Sequence, residues 1–138
     1  MAQDKVSLRD ITQDTLRAIL DLEVHDSQKN FVAPNAVSIA QAHFSKYAWF
    51  LNVLEQFRRK GIATQLMDRA EAEIAKRSDI AGIGVGLYSD YGPAQRMYIL
   101  RGYVPDARGL MYAGKPVTPG TSVIADDSLT MNLTKNLT

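Results

Sequence analysis

Arg58-Arg59-Lys60-Gly61-Ile62-Ala63 sets three cations directly before a glycine and a short apolar run. These residue types suit phosphate oxygens. A glycine at the mouth of a helix lets several backbone N–H groups converge without a side chain between them. The first turn of a helix adds unpaired N–H donors and a partial positive charge. The upstream cations extend the attraction to longer range. The stretch reads as a pyrophosphate cradle, and its plainer alternative is a solvated basic loop with a turn glycine.

The flanking elements must position it. Residues 47–54 form a strand-like run that gives way to the basic stretch. Ile62, Ala63, Leu66, Met67, Ala70 and Ile74 then recur at helical spacing and predict one apolar stripe, with Asp68, Arg69, Glu71, Glu73, Lys76 and Arg77 on the other face. Further on, Ala94-Gln95-Arg96-Met97-Tyr98-Ile99-Leu100-Arg101-Gly102-Tyr103 follows a strand and predicts a helix stopped by Gly102.

Together the two segments resemble the GNAT superfamily of N-acetyltransferases. Arg58, Gly61 and Ala63 match in order the family's coenzyme A loop, Arg/Gln-x-x-Gly-x-Gly/Ala. Ala94, Tyr98, Gly102 and Tyr103 match its later element, Ala-x-x-x-Tyr-x-x-x-Gly-Phe/Tyr. One helix and one strand separate the blocks, as in the family. The resemblance runs in outline from Val6 to Tyr103 and is strong from Leu51 onward.

The resemblance implies transfer of the acetyl group of acetyl-CoA, by direct attack, to a primary amine of a small molecule or peptide, without a metal. Arg58 and the amides of Arg59, Lys60, Gly61, Ile62, Ala63 and Thr64 would hold the coenzyme A pyrophosphate. Backbone groups of Asn52, Val53 and Leu54 would bond the pantetheine arm as a mock strand, one N–H polarising the thioester carbonyl. Tyr98 would protonate the departing thiolate; without the resemblance it reads as a core aromatic with its hydroxyl at the surface. A second function class stays open, a coenzyme A-binding regulatory module of the same fold with weak or no turnover.

Three departures qualify the match. Residues 45–54 hold no Asp or Glu to serve as the family's usual base, and Glu55 beside the loop reads as solvated. Glu23, His25 and Asp26 lie where the family places acceptor-binding residues, although His25 also reads as an exposed loop histidine. Tyr91 stands where many relatives have an asparagine that contacts the coenzyme. Finally, Phe50 runs directly into Leu51 with no hairpin signal, where relatives carry a meander of strands. Either the hairpin is truly missing or a segment is absent between Phe50 and Leu51; exposed sheet edges favour the second.

Composition narrows the classes. The 138 residues, 46% hydrophobic, suit one N-acetyltransferase-like domain over 1–138 with a real core. A net charge of +1 argues against a general nucleic-acid binder. With no cysteine there is no disulfide, thiol catalysis or Cys-based metal site. No apolar run approaches membrane-spanning length and no secretion signal is present, so the expectation is a soluble, cytoplasmic protein with no membrane partner. A homodimer is left open.

Along the chain, Val6 and Leu8 suggest a first strand. Thr12 is placed as the N-cap of a helix carrying Leu16, Ile19, Leu20 and Glu23. Residues 24–33 read as a loop before a helix with Val37, Ala40 and Phe44. Ala81, Ile83, Val85 and Leu87 alternate with Gly82, Gly84 and Gly86 as a strand with one aliphatic and one bare face, the bare face admitting a helix or a slender ligand. Leu110-Met111-Tyr112 and Lys115-Pro116-Val117 flank a turn at Ala113-Gly114, and Leu129, Met131 and Leu133 make a final strand. The order predicts an α/β (α+β mixed) GNAT-like fold, a central mixed twisted sheet with helices on both faces.

If a segment is absent at Phe50–Leu51, intact mass spectrometry of the native protein gives several kilodaltons more than 15.3 kDa. A native mass equal to that figure establishes a shortened fold instead.

Overall fold

The computed structural model describes residues 7, 9–22, 35–44, 51, 53 and 58–138. The expected strand at Val6 and Leu8, the loop at 24–33 and nearly all of the run 45–57 lie outside the described residues, as does Phe50 of the Phe50–Leu51 junction. The chain divides into two compact units, Met1–Arg69 and Ala70–Thr138.

The first unit contains α1 (Gln13–Leu20) and α2 (Asn35–Phe44), which touch one another. Thr12 is extended at the N-cap of α1 and its N–H donates to Thr15 Oγ1 at 2.9 Å, so a threonine takes the place of the usual capping-box glutamate. The unit also carries the opening turns of α3 (Ile62–Ala75). Met67 and Ala70 of the expected stripe are buried, whereas Asp68 and Arg69 are exposed.

The second unit is built on a four-stranded sheet. Its strands are β1 (Ile80–Gly86), β2 (Val104–Tyr112), β3 (Lys115–Pro116) and β4 (Leu129–Asn136), in the order β1-β4-β2-β3. All three described ladders are antiparallel. A single 3₁₀ turn (Ser89–Tyr91) leads into α4 (Gly92–Leu100). Helices with an antiparallel sheet make this a mixed α/β fold.

The β1–β4 register sorts side chains by chemistry. Ala81, Ile83 and Val85 stand opposite Lys135, Leu133 and Met131, while Gly82, Gly84 and Gly86 stand opposite Thr134, Asn132 and Thr130. Directly opposed residues share a face, so the aliphatic set lies on one side and the bare set faces short polar side chains. Ala81, Val85, Tyr103, Met111 and Leu133 form the buried core of this unit together with Ala70. Each Val, Leu or Met so buried contributes about 1.5–3 kcal/mol.

Between Pro105 and Leu110 the register with β4 shifts, so that residues 106–109 stand where β4 has Asn132 alone. Ala107 and Gly109 turn to positive φ (70° and 76°), and Asp106 pins the bulge by accepting from the Arg108 N–H at 3.0 Å. The expected turn at Ala113-Gly114 is present, with φ of 47° and 77° at its two residues, the left-handed pair that matches strand twist in a two-residue hairpin.

One feature of α3 departs from the helical pattern. Glu71, placed above on the face opposite the apolar stripe, has a side chain only 13% exposed and grips two cations. Arg101 donates from Nε to Oε1 at 3.0 Å and from a terminal nitrogen to Oε2 at 3.0 Å, while Lys135 Nζ reaches Oε2 at 2.8 Å. The reason lies in β4: Lys135 shares its face with Leu133 and Met131, so its charge projects on the core side and needs a counter-ion. Burial pushes the Glu71 carboxyl up, but the hydrogen bonds and charges of Arg101 and Lys135 outweigh it and hold the group below the ordinary carboxylate range.

Because the folded-state value is depressed, this contribution is complete above the ordinary carboxylate value and disappears as pH falls through the depressed one. Glu71→Gln therefore costs about 3 kcal/mol at neutral pH, the scale of leaving partly buried charges unpaired, and the deficit shrinks in acid. Urea denaturation of both proteins at neutral and acid pH checks this. A deficit that stays constant with pH contradicts the ion-pair account.

Candidate active site

The basic stretch closes on a loop with an unusual backbone. Arg59 has φ of 63° and Gly61 φ of 75°, with Lys60 between them at ordinary negative φ. Such alternation turns successive N–H groups toward one side, a concavity that receives anions. The Gly61 carbonyl accepts from the Gln65 N–H at 3.1 Å, which starts α3 at Ile62 and leaves the first-turn N–H groups of Ile62, Ala63 and Thr64 without intrahelical acceptors. A Cβ built on Gly61 meets no atom within 4 Å. Among the described residues the restriction on Gly61 is its left-handed backbone.

Arg58, Arg59, Lys60, Gly61 and Thr64 are exposed and Ile62 and Ala63 half-buried. Arg58 Nε donates to the Val53 carbonyl at 3.1 Å, tying the incoming chain to the loop. Asn52 and Leu54, expected with Val53 to bond the pantetheine arm, lie outside the described residues, as do Glu23, His25, Asp26 and Glu55.

Tyr98 belongs to the second unit, on α4. The helix ends in a Schellman motif: the Tyr103 N–H bonds the Tyr98 carbonyl and the Gly102 N–H bonds the Ile99 carbonyl, each at 3.0 Å, with Gly102 at φ 90°. This is the stop read at Gly102 from the sequence. It also brings the ring of buried Tyr103 edge-on to that of Tyr98, centroids 6.0 Å apart at 62°. Tyr98 is half-buried, and burial raises its phenol above the ordinary value. Among the described residues its hydroxyl has no hydrogen-bond partner.

The other tyrosines of this unit differ. Tyr88 and Tyr91 both donate to Oδ1 of Asp127, Tyr91 at 2.9 Å, and their rings meet edge-on at 5.0 Å. Burial first and then Asp127 push Tyr91 up to about 12, and the same causes raise Tyr88. Tyr112 donates to Asp126 Oδ2 at 3.0 Å. Tyr103 is pushed up to about 12 by burial first and then by the Glu71 carboxylate.

Tyr91 has its hydroxyl engaged by Asp127. Its ring lies where a Cβ on Gly86 would fall. What the bare face of β1 admits at Gly86 is this ring, carried on the 3₁₀ turn that opens α4. Gln95 completes the junction by donating from Nε2 to the Gly86 carbonyl at 2.7 Å. Sequence reasoning missed Glu71, Asp127, Tyr88 and Gln95 here. Only Glu71 left a signal, four residues after Met67 and three before Ile74, at the edge of the apolar stripe.

The chain belongs to the acetyltransferase (GNAT) family: the family's sequence profile matches residues 18–103, more than half of the 138. No curated protein and no solved structure matches it significantly. The family transfers acetyl groups from acetyl-CoA, and the matched span contains both the Gly61 loop and Tyr98. Among the described residues no group of His, Asp or Glu is arranged to hold a metal ion, and no helix is long and apolar enough to cross a membrane.

Gly61→Asp should abolish coenzyme A binding while the domain stays folded. Asp tolerates the left-handed backbone better than most residues, yet it sets a carboxylate where phosphate would sit. Arg59→Ala and Lys60→Ala should be milder, since directed hydrogen bonds come from amides and the cations mainly add field. Calorimetric titration of each variant measures this, and unchanged affinity in Gly61→Asp removes the loop as the site.

Proposed function

We propose that the chain is one N-acetyltransferase domain that moves the acetyl group of acetyl-CoA to a primary amine of a small molecule or peptide by direct attack. The observation that carries this reading is the Arg59–Gly61 loop at the start of α3, whose alternating backbone fits a pyrophosphate. Acetyl-CoA supplies an acetyl group already activated as a thioester. The N–H groups of residues 59–64 bind its phosphates, and Arg58 braces the loop through the Val53 carbonyl. Asn52, Val53 and Leu54 offer backbone groups to the pantetheine arm.

Tyr98 supplies the proton. Its hydroxyl makes no hydrogen bond among the described residues, whereas Tyr88, Tyr91 and Tyr112 are each committed to an aspartate. The upward displacement of its phenol keeps the proton in place at neutral pH, ready for a leaving thiolate. Activity depending on this proton is present below the raised value and falls as pH rises through it, so the alkaline limb lies above the ordinary phenol value of 10.

A panel of amines, with thiol release from acetyl-CoA as readout, tests the proposal. Tyr98→Phe should keep acetyl-CoA affinity within a few-fold while turnover falls by about two orders of magnitude. Near-full turnover in Tyr98→Phe removes Tyr98 as the acid. Binding of acetyl-CoA with no thiol release for any amine replaces the enzyme reading by a coenzyme A-binding regulatory module.

A further inference from the structure

The contacts of Tyr98 run inward through one residue to a fixed charge cluster. Tyr103 is 2% exposed and follows Gly102, so the Schellman turn sets its backbone against the Tyr98 carbonyl while its ring stands edge-on to the Tyr98 ring. Edge-to-face pairs at this separation have a preferred geometry. Lys135 Nζ lies 5.7 Å from the centroid of the Tyr103 ring, and that lysine is held by Glu71, which also holds Arg101 in a two-point grip. Arg101 is the C-cap of the Tyr98 helix. Both the ring beside Tyr98 and the end of its helix are therefore fixed by one carboxylate.

We infer that Tyr103 is a positioning residue for the Tyr98 phenol, and that Glu71 anchors it through Lys135 and Arg101. Two hydrogen-bonded points on the backbone and one ring contact limit the rotamers open to Tyr98. A phenol on a half-buried ring without a hydrogen bond of its own has no other restraint among these contacts. Misplacement of a reacting group by about 1 Å is enough to cost large factors in rate. The inference rests on the reading of Tyr98 as the proton donor, and the test separates the two.

Tyr103→Leu removes the ring and Tyr103→Phe keeps it. Tyr103→Leu should lower kcat about tenfold with KM for acetyl-CoA unchanged within about twofold, while Tyr103→Phe stays near wild type. In a Tyr98→Phe background, Tyr103→Leu should have no further effect on kcat, since it acts only through that phenol. An equal loss in both backgrounds overturns the inference and makes Tyr103 purely structural.

A second readout needs no turnover. In NMR spectra with ring-labelled tyrosine, Tyr103→Leu should shift and broaden the Tyr98 resonance and leave Tyr112, which is bonded to Asp126, in place. Should Tyr103→Leu fail to fold, Arg101→Lys keeps the charge but loses the fork that grips Glu71, and the same selective change at Tyr98 is required of it. An unmoved Tyr98 resonance overturns the inference. Selective movement at Tyr98 together with full turnover in Tyr98→Phe upholds the contact and refutes the proton-donor reading instead.

Discussion

A carboxylate on the core-facing edge of a helix has to be matched charge for charge, and Glu71 meets that demand with both of its oxygens. The Arg101 guanidinium spans Oε1 and Oε2 and the Lys135 ammonium takes Oε2. Three elements are tied at this point: α3, the turn that ends α4, and β4. A salt bridge of this kind adds little net stability over a well-packed apolar cluster, but breaking it is costly because the remaining charges are stranded. Its consequence is geometric. With Arg101 and Lys135 fixed, Tyr103 is enclosed at the end of the Gly102 turn, and the turn sets where α4 stops.

The polar groups around α4 divide its two ends by task. At the start, Tyr91 fills the space beside Gly86, Gln95 bonds the Gly86 carbonyl, and Asp127 gathers two phenols. Those hydroxyls are committed and their protons are held more tightly than usual. At the far end, Tyr98 has a raised phenol and no committed partner among the described residues. Tyr88, Tyr91 and Tyr112 are each engaged by an aspartate, and under the proposed function Tyr98 is the phenol left to give up its proton. The Gly61 loop is a separate device, and its information lies in backbone angles: a positive-φ arginine and a positive-φ glycine two residues apart turn amides together.

The sequence was most legible where local rules dominate. The α3 stripe, the Gly102 stop, the Thr12 cap, the Ala113-Gly114 turn and the final strand β4 all follow from spacing and residue type, and each is present. The candidate site reads in the sequence as two motifs, both inside the span that the family profile matches. What the sequence hid depends on partners far along the chain. Asp127 meets Tyr88 and Tyr91 across a chain separation of 39 and 36 residues, which no periodicity encodes. Glu71 was misread because a charged side chain on a helix defaults to the solvated face, and its partner Lys135 needed the β4 register to be known first. In hindsight Lys135 gave the clue: it shares parity with Leu133 and Met131, and a cation on an apolar strand face requires an anion. Tyr91 shows another limit, since the place of its ring is set by the glycine beneath it.

The central claim is that amides of the Gly61 loop receive the phosphates of acetyl-CoA. An NMR titration of the backbone-labelled protein with acetyl-CoA tests it most directly, because it reads those N–H groups one by one. The account predicts saturable shifts concentrated at residues 59–64, with coenzyme A lacking its acetyl group producing the same pattern there. Saturable shifts elsewhere in the chain, with the amides of 59–64 unmoved, would contradict it.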